Sequence, residues 1–239
     1  MNIKYITLGL ISIWFSNFAT NAQSLNNAVK ISGAMRNVMK KGQLQGTIHL
    51  DTIQNKKHLY GIGPKEYLQG ELLIIDGKSY ISTVNPNGAV KMEETFNVKA
   101  PFFVYTNQQN WKEEILPKHI RTLKQLEEYI DKQTRNSSRP FVFKLKGTVA
   151  KIDFHIQNHP DGAIVKSPED VHQRQGKYER GNVEGEIIGF FSTGHQSIFT
   201  HHDSYIHIHF INSARTEMGH IDDLILNGET KVQLFLPKE

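Results

Sequence analysis

The sequence predicts an α+β fold dominated by strands. Short apolar runs separated by Gly, Asn and Pro recur along the chain, and runs of that length between turn residues read as strands. Two stretches carry apolar residues at helical spacing instead. With 239 residues, 38% hydrophobic and 22% charged, the chain has ordinary globular composition and length for one large domain or two small ones. No repeat or low-complexity tract interrupts it.

The chain opens with Lys4, an apolar stretch from Ile6 to Phe18, and Thr20-Asn21-Ala22 ahead of Gln23. A basic start, a short apolar middle and small residues before the cut are the layout of a secretory signal peptide over residues 1–22, cleaved after Ala22. An uncleaved anchor fits less well. The run is shorter than the roughly 20 residues that span a bilayer, and Thr7, Ser12, Ser16 and Asn17 interrupt it. The expected mature protein is exported, periplasmic or secreted, with no membrane partner after cleavage. There is no cysteine, so disulfides and thiolate chemistry are excluded, and stability rests on core burial, a metal or a partner subunit. The formal charge is +4, with Lys and Arg scattered among acids, which gives no case for a nucleic-acid partner.

Taken in order, Leu25 to Lys40 reads as an amphipathic helix with a weak point at Gly33. Glu71 to Asp76, Ser79 to Val84 and Phe102 to Thr106 read as strands, the first two joined by a hairpin turn at Asp76-Gly77. Thr122 to Gln133 reads as a second helix, with Leu123, Leu126 and Ile130 on one face and Thr122 and Gln125 at capping-box spacing. Strands resume at Phe141 to Leu145, Val149 to Ile156, Glu186 to Phe191, Tyr205 to Ile211 and Lys231 to Leu236. Between them, Gln157 to Gly181 is polar and rich in Gly, Pro, Asp and Gln, and reads as a long connection.

Six of the twelve histidines fall between His195 and His220. In a strand over Tyr205 to Ile211, His207 and His209 share one face while Ile206, Ile208 and Phe210 share the other and enter the core. Two neutral imidazoles on one face can reach one zinc ion, and His220, beyond the turn-like Asn212 to Gly219, is the third candidate ligand. Three protein ligands with an open fourth position is the arrangement of a catalytic zinc. Taken alone, His-x-His is equally the mark of hydrogen-bonded or surface histidines on an ordinary strand. His195, His201 and His202 read as loop histidines, with one of them a candidate to line the mouth of the cleft. His49, His58, His119, His155, His159 and His172 have no partner at ligand spacing.

The order of these motifs resembles that of the acetolactate decarboxylase family. His207-Ile208-His209-Phe210 and Gly219-His220 resemble its His-x-His-Phe and Gly-Gly-His segments, and Gly189-Phe190-Phe191-Ser192 resembles the strand before them. Gly61-Ile62-Gly63, Leu68-Gln69-Gly70-Glu71-Leu72, Ile75-Asp76-Gly77, Ala100-Pro101-Phe102, Pro140-Phe141 and Lys144-Leu145-Lys146-Gly147 resemble its earlier segments in the same order.

The resemblance implies a mixed β-sheet part, about residues 23–138, followed by a β-barrel-like part carrying the metal site, about 139–239, in a homodimer. It implies removal of CO2 from 2-acetolactate, a 2-hydroxy-3-oxo acid, to give acetoin. His207, His209 and His220 carry over as zinc ligands and Glu71 as the active-site glutamate. Lys144 stands at the family's arginine, keeping the charge without the planar fork. Met218 replaces the first glycine of Gly-Gly-His, which implies an altered turn ahead of His220. The family contributes a further acid beyond Leu236-Pro237-Lys238-Glu239, for which Glu239 or Glu217 is the candidate here. The alternative reading is an exported metal- or hydroxy-acid-binding protein that keeps the fold without the activity. A zinc hydrolase is a third reading, without a Gly-x-Ser-x-Gly or His-Glu-x-x-His motif to strengthen it.

Overall fold

The computed structural model of the protein describes residues 1, 28–226, 228, 229 and 231–238. The expected leader with its cleavage point, the first residues of the expected N-terminal helix, and Glu239 lie outside the described residues. Strand accounts for 47% and helix for 14% of the described residues, in keeping with the strand-dominated α+β reading. Among the described residues, no helix is long and apolar enough to cross a membrane.

The first part of the chain runs through β1 (Lys30–Gly33), α1 (Met35–Lys41), β2 (Ile48–His49), β3 (Leu59–Pro64), β4 (Glu71–Ile75), β5 (Lys78–Val84), β6 (Val90–Glu94), β7 (Lys99–Ala100) and β8 (Phe102–Asn107). The expected helix from Leu25 to Lys40 is therefore only half a helix. Residues 30–33 pair antiparallel with β8 instead, and helix begins at Met35. Gly33 makes the break. Its φ is 67°, a left-handed conformation that glycine adopts without strain, and a Cβ there would lie 2.1 Å from the Pro101 carbonyl oxygen. The expected hairpin at Asp76-Gly77 joins β4 to β5 with φ of 46° and 80°, the two positive angles of a type I′ turn.

The second part contains β9 (Trp111–Ile115), α2 (Leu123–Gln133), β10 (Phe141–Gln157), α3 (Pro168–His172), β11 (Gln175–Phe191), β12 (Ile206–Asn212), β13 (Met218–Ile225) and β14 (Gln233–Pro237). Thr122 caps α2 with both halves of the expected capping box. The two expected strands at Phe141 to Leu145 and Val149 to Ile156 are one continuous strand, β10. The expected long connection shrinks to 158–174, because β11 begins at Gln175. Its first half is polar and largely exposed, yet it pairs with β10 through the backbone from Gln175 onward.

β1, β8, β3, β4, β5 and β6 form one six-stranded sheet in that order; β11, β12, β13, β10, β14 and β9 form a second. Because β11 also pairs with β10, the strands β10, β11, β12 and β13 pair in a closed circuit. All pairings between named strands are antiparallel, where the resemblance implied a mixed sheet. Parallel neighbours need long crossover connections, and most of these strands are joined by short turns.

Both faces of the second sheet are used. Ile206, Ile208 and Phe210 of β12 enter a core with Phe143, Phe154 and α2 residues Leu126 and Ile130. On the opposite face, Val142, Ile188, Phe190, Ile211 and Met218 pack against Tyr60, Ile62, Leu73 and Val104 of the first sheet. The histidine face of β12 therefore looks toward the first sheet. Glu71, at the start of β4, meets it from the other side.

Candidate metal centre and its cavity

Strand register assembles the site. His209 pairs with His220, and His220 pairs with His155, so three histidines form a row across β12, β13 and β10. His207 lies two residues from His209 on the same face, as period-two alternation requires. All four are buried, His209 completely. Nε2 of His207 lies 3.1 Å from Nδ1 of His220 and 3.2 Å from Nε2 of His209. One ring nitrogen from each of His207, His209 and His220 lies within 4.8 Å of the others, the arrangement of residues able to hold a metal ion.

Burial, reinforced by neighbouring histidines, holds His207 and His220 well below the ordinary histidine range and His209 at about 3. All three rings are therefore neutral at physiological pH, which is the form that ligates a metal. Nδ1 of His207 and of His209 is buried without a hydrogen bond of good geometry. The Phe199 and Leu72 backbones lie close enough to favour a proton on these rings, and a proton carried on Nδ1 leaves Nε2 as the free lone pair. The donor set thus fits a metal ion: three converging neutral imidazoles, with no acid between them taking up their lone pairs.

Glu71 is 2% exposed. Its Oε2 lies 3.7 Å from Nε2 of His209 and its Oε1 4.0 Å from Nε2 of His155. Oε1 also accepts the Gln157 backbone N–H at 3.3 Å. Burial dominates its electrostatics and raises its pKa well above the usual carboxylate range; the Gln157 N–H opposes that shift. Just before it, Tyr67 and Leu68 adopt left-handed φ of 60° and 54°, uncommon for residues with side chains of this size. Leu68 is buried there and helps to wall the cavity.

That cavity, about 40 Å³, is lined by Glu71, His155, Gln157, His201, His207 and His220 among others, with Phe102, Leu68 and Val38 as apolar walls. His155, read from the sequence as having no ligand partner, is a member of the site. Its Nδ1 is 2.7 Å from Oδ1 of Asp222, and the Gln157 side chain reaches its Nε2 at 3.3 Å. His201, read as a loop histidine, lies with its Nε2 3.2 Å from Nε2 of His220. The only sequence hint was the alternation over Lys151, Asp153, His155 and Gln157, which sets polar residues on one face of this strand and apolar ones on the other. The closeness of His155 to His220 is a tertiary fact.

Lys144 does not join the site. It lies near the start of β10, on the order of 30 Å along the strand from His155 at about 3.3 Å per residue. Its Nζ is over the Phe235 ring at 4.4 Å and the Trp111 ring at 5.6 Å. Glu217 is likewise engaged elsewhere, bonding Arg180 through both oxygens at 3.1 Å or less. Met218 does not remodel a turn. It is a buried strand residue opposite Ile211, its backbone φ is not positive, and the turn lies earlier, with Arg215 at φ 58°.

A sequence model described as alpha-acetolactate decarboxylase matches residues 32–236 of the chain. The chain is 25% identical over 191 residues to the alpha-acetolactate decarboxylase of Brevibacillus brevis, covering 79% of this chain and 63% of that protein's length. It is 26% identical over 191 residues to that of Lactococcus lactis subsp. cremoris, covering 79% of this chain and 76% of the relative. In fold, it resembles the crystal structure of alpha-acetolactate decarboxylase from Bacillus subtilis, with a TM-score of 0.72 at 21% identity over 88% of this chain and 86% of that one. A Staphylococcus aureus protein of unknown function, described as similar to the same enzyme, gives a TM-score of 0.70 at 22% identity over the same shares. With a family match spanning nearly all of the described residues, and the three histidines and Glu71 inside it, the chain belongs to the alpha-acetolactate decarboxylase family.

Proposed function

We propose that the chain is a zinc-dependent carboxy-lyase that converts 2-acetolactate to acetoin and CO2. The observation that carries this reading is the convergence of three buried neutral imidazoles beside the buried Glu71, at a cavity that His207, His220 and Glu71 line, in a chain of this family. His207, His209 and His220 are the zinc ligands. Their shortest nitrogen separations, 3.1 and 3.2 Å, approach the roughly 3.4 Å tetrahedral edge that follows from zinc–nitrogen bonds of about 2.0–2.1 Å. Zinc, when bound, supplies a Lewis acid for the ketone and hydroxyl oxygens of the substrate.

Loss of CO2 breaks the bond from the carboxyl carbon to C2 and sends its electron pair toward the ketone oxygen, giving an enediolate that must regain a proton at carbon. Glu71 is the proton carrier in this proposal, because burial keeps a proton on its carboxyl at a pH where an exposed glutamate has none. His155, oriented through Nδ1 by Asp222, takes the substrate-orienting role that the sequence had given to Lys144. The apolar walls restrict water around the forming charge.

An exported chain cleaved after Ala22, a homodimer, and a barrel-like second part belong to the same proposal. The leader-like N-terminus supports export, and the closed circuit of β10, β11, β12 and β13 supports the barrel-like part. The two-part division is proposed just after β8, which ends at Asn107, and not near residue 138, because β9 joins the second sheet and α2 packs into its core.

The test is acetoin formation from racemic 2-acetolactate by metal-depleted and zinc-reconstituted protein, beside His209→Ala. Turnover that requires both zinc and His209 is expected. Tight zinc binding without turnover would overturn the reaction and leave a binding protein of this fold.

A further inference from the structure

His220 is flanked by histidines at both ring nitrogens. Its Nδ1 lies 3.1 Å from Nε2 of His207, and its Nε2 lies 3.2 Å from Nε2 of His201. His201 is not a further member of the ligand group, which among the described residues comprises His207, His209 and His220. Imidazole nitrogens at hydrogen-bond distance need a proton or a metal ion between them, and a neutral ring has a single proton to give. The contacts therefore constrain which nitrogen of each ring carries it.

Nε2 of His207 faces Nε2 of His209 as well as Nδ1 of His220. If His220 kept its proton on Nδ1, it would donate to Nε2 of His207 and occupy the lone pair that His207 offers a metal. If the proton is on Nε2, three lone pairs converge, from Nε2 of His207, Nε2 of His209 and Nδ1 of His220, and the proton goes to His201. One assignment thus satisfies the metal group and the fourth histidine together.

The segment that carries His201 is held to suit this role. Immediately after it, the buried Glu127 of α2 accepts the Ser204 hydroxyl at 2.6 Å and the Tyr205 backbone N–H at 2.8 Å. Just before it, the Thr200 carbonyl accepts the Ser197 N–H at 2.8 Å.

We infer that His201 is a positioning residue of the metal centre: it accepts the Nε2–H of His220 and commits His220 to bind metal through Nδ1. This inference rests on the metal reading of the triad and not on the decarboxylation. Outer partners that fix a ligand histidine typically change metal affinity by 10–100-fold when removed.

The experiment compares zinc affinity of the whole protein, His201→Ala and His201→Gln, by competition with a chromophoric chelator. It is paired with long-range proton–nitrogen NMR of the zinc-loaded wild type, labelled at histidine nitrogens. His201→Ala should bind zinc about 10–100-fold more weakly. His201→Gln, whose amide oxygen accepts the same proton, should recover most of that loss. The spectrum should show His220 bound through Nδ1 and protonated on Nε2. Wild-type affinity in both variants, equal weakening in both, or His220 bound through Nε2 would overturn the inference with the metal site intact. A wild type that binds no zinc would instead remove the metal reading and this inference with it.

Discussion

Glu71 illustrates how burial sets the chemistry of a single carboxyl. At the inner end of the cavity, its nearest polar neighbours are two imidazoles and one backbone N–H, too few to stabilise a full negative charge. Glu71→Gln keeps the shape and one acceptor oxygen but removes the transferable proton. It should retain zinc, measured by metal analysis, and lose turnover by about 10²-fold or more. Lys144→Ala makes the opposite case. The lysine rests on Phe235 and Trp111, so its loss should leave turnover within about two-fold and cost roughly 0.5–1 kcal/mol in denaturant unfolding. Loss of activity in that variant would return Lys144 to the mechanism. The cluster of His207, His209 and His220 was legible in the sequence because His207 and His209 obey strand alternation and His220 follows one turn later. His155 was not, because it reaches His220 from a distant strand and register between strands is not written in local periodicity; His201 was legible only as one of three loop histidines of which one could line the cleft, since loop packing has no local signature.

Among the elements, α2 was legible in full, since its cap, its apolar face and its end are local features. β3 was missed as a strand because Gly61 and Gly63 lower its strand propensity; they are there because the Phe103 ring and backbone leave no room for a side chain. The first half of β11 was missed because it lacks an apolar face and is held by its backbone ladder to β10. What α2 contributes to the site is Glu127, a buried carboxylate on a helix that otherwise packs apolar residues. Glu127→Ala should strand the Ser204 hydroxyl and the Tyr205 N–H and cost roughly 1–3 kcal/mol, measured by denaturant unfolding. An unchanged midpoint would mean that water replaces the carboxylate at both donors.

For the molecule as a whole, a site enclosed between two sheets makes stability depend on pH. His209 titrates near 6.5 when exposed and at about 3 in the folded chain, so between these values the unfolded chain holds a proton that the folded chain refuses. His207 and His220 shift in the same direction, while Glu71, shifted upward, offsets them in part. The metal-free protein should therefore be most stable above about pH 6.5 and lose stability progressively toward pH 3, and His209→Leu should flatten that fall in denaturant titrations. A pH-independent unfolding midpoint would contradict the burial of these rings. The placement of all three candidate ligands on one hairpin, β12 to β13, has a kinetic consequence as well. A metal ion bound as proposed would need neither β4 nor β10 to hold that hairpin closed, so it would gather the hairpin while the rest of the chain is still unfolded. Its stabilisation should then appear as faster refolding in stopped-flow experiments more than as slower unfolding, with the ion acting as a nucleus around which the two sheets assemble.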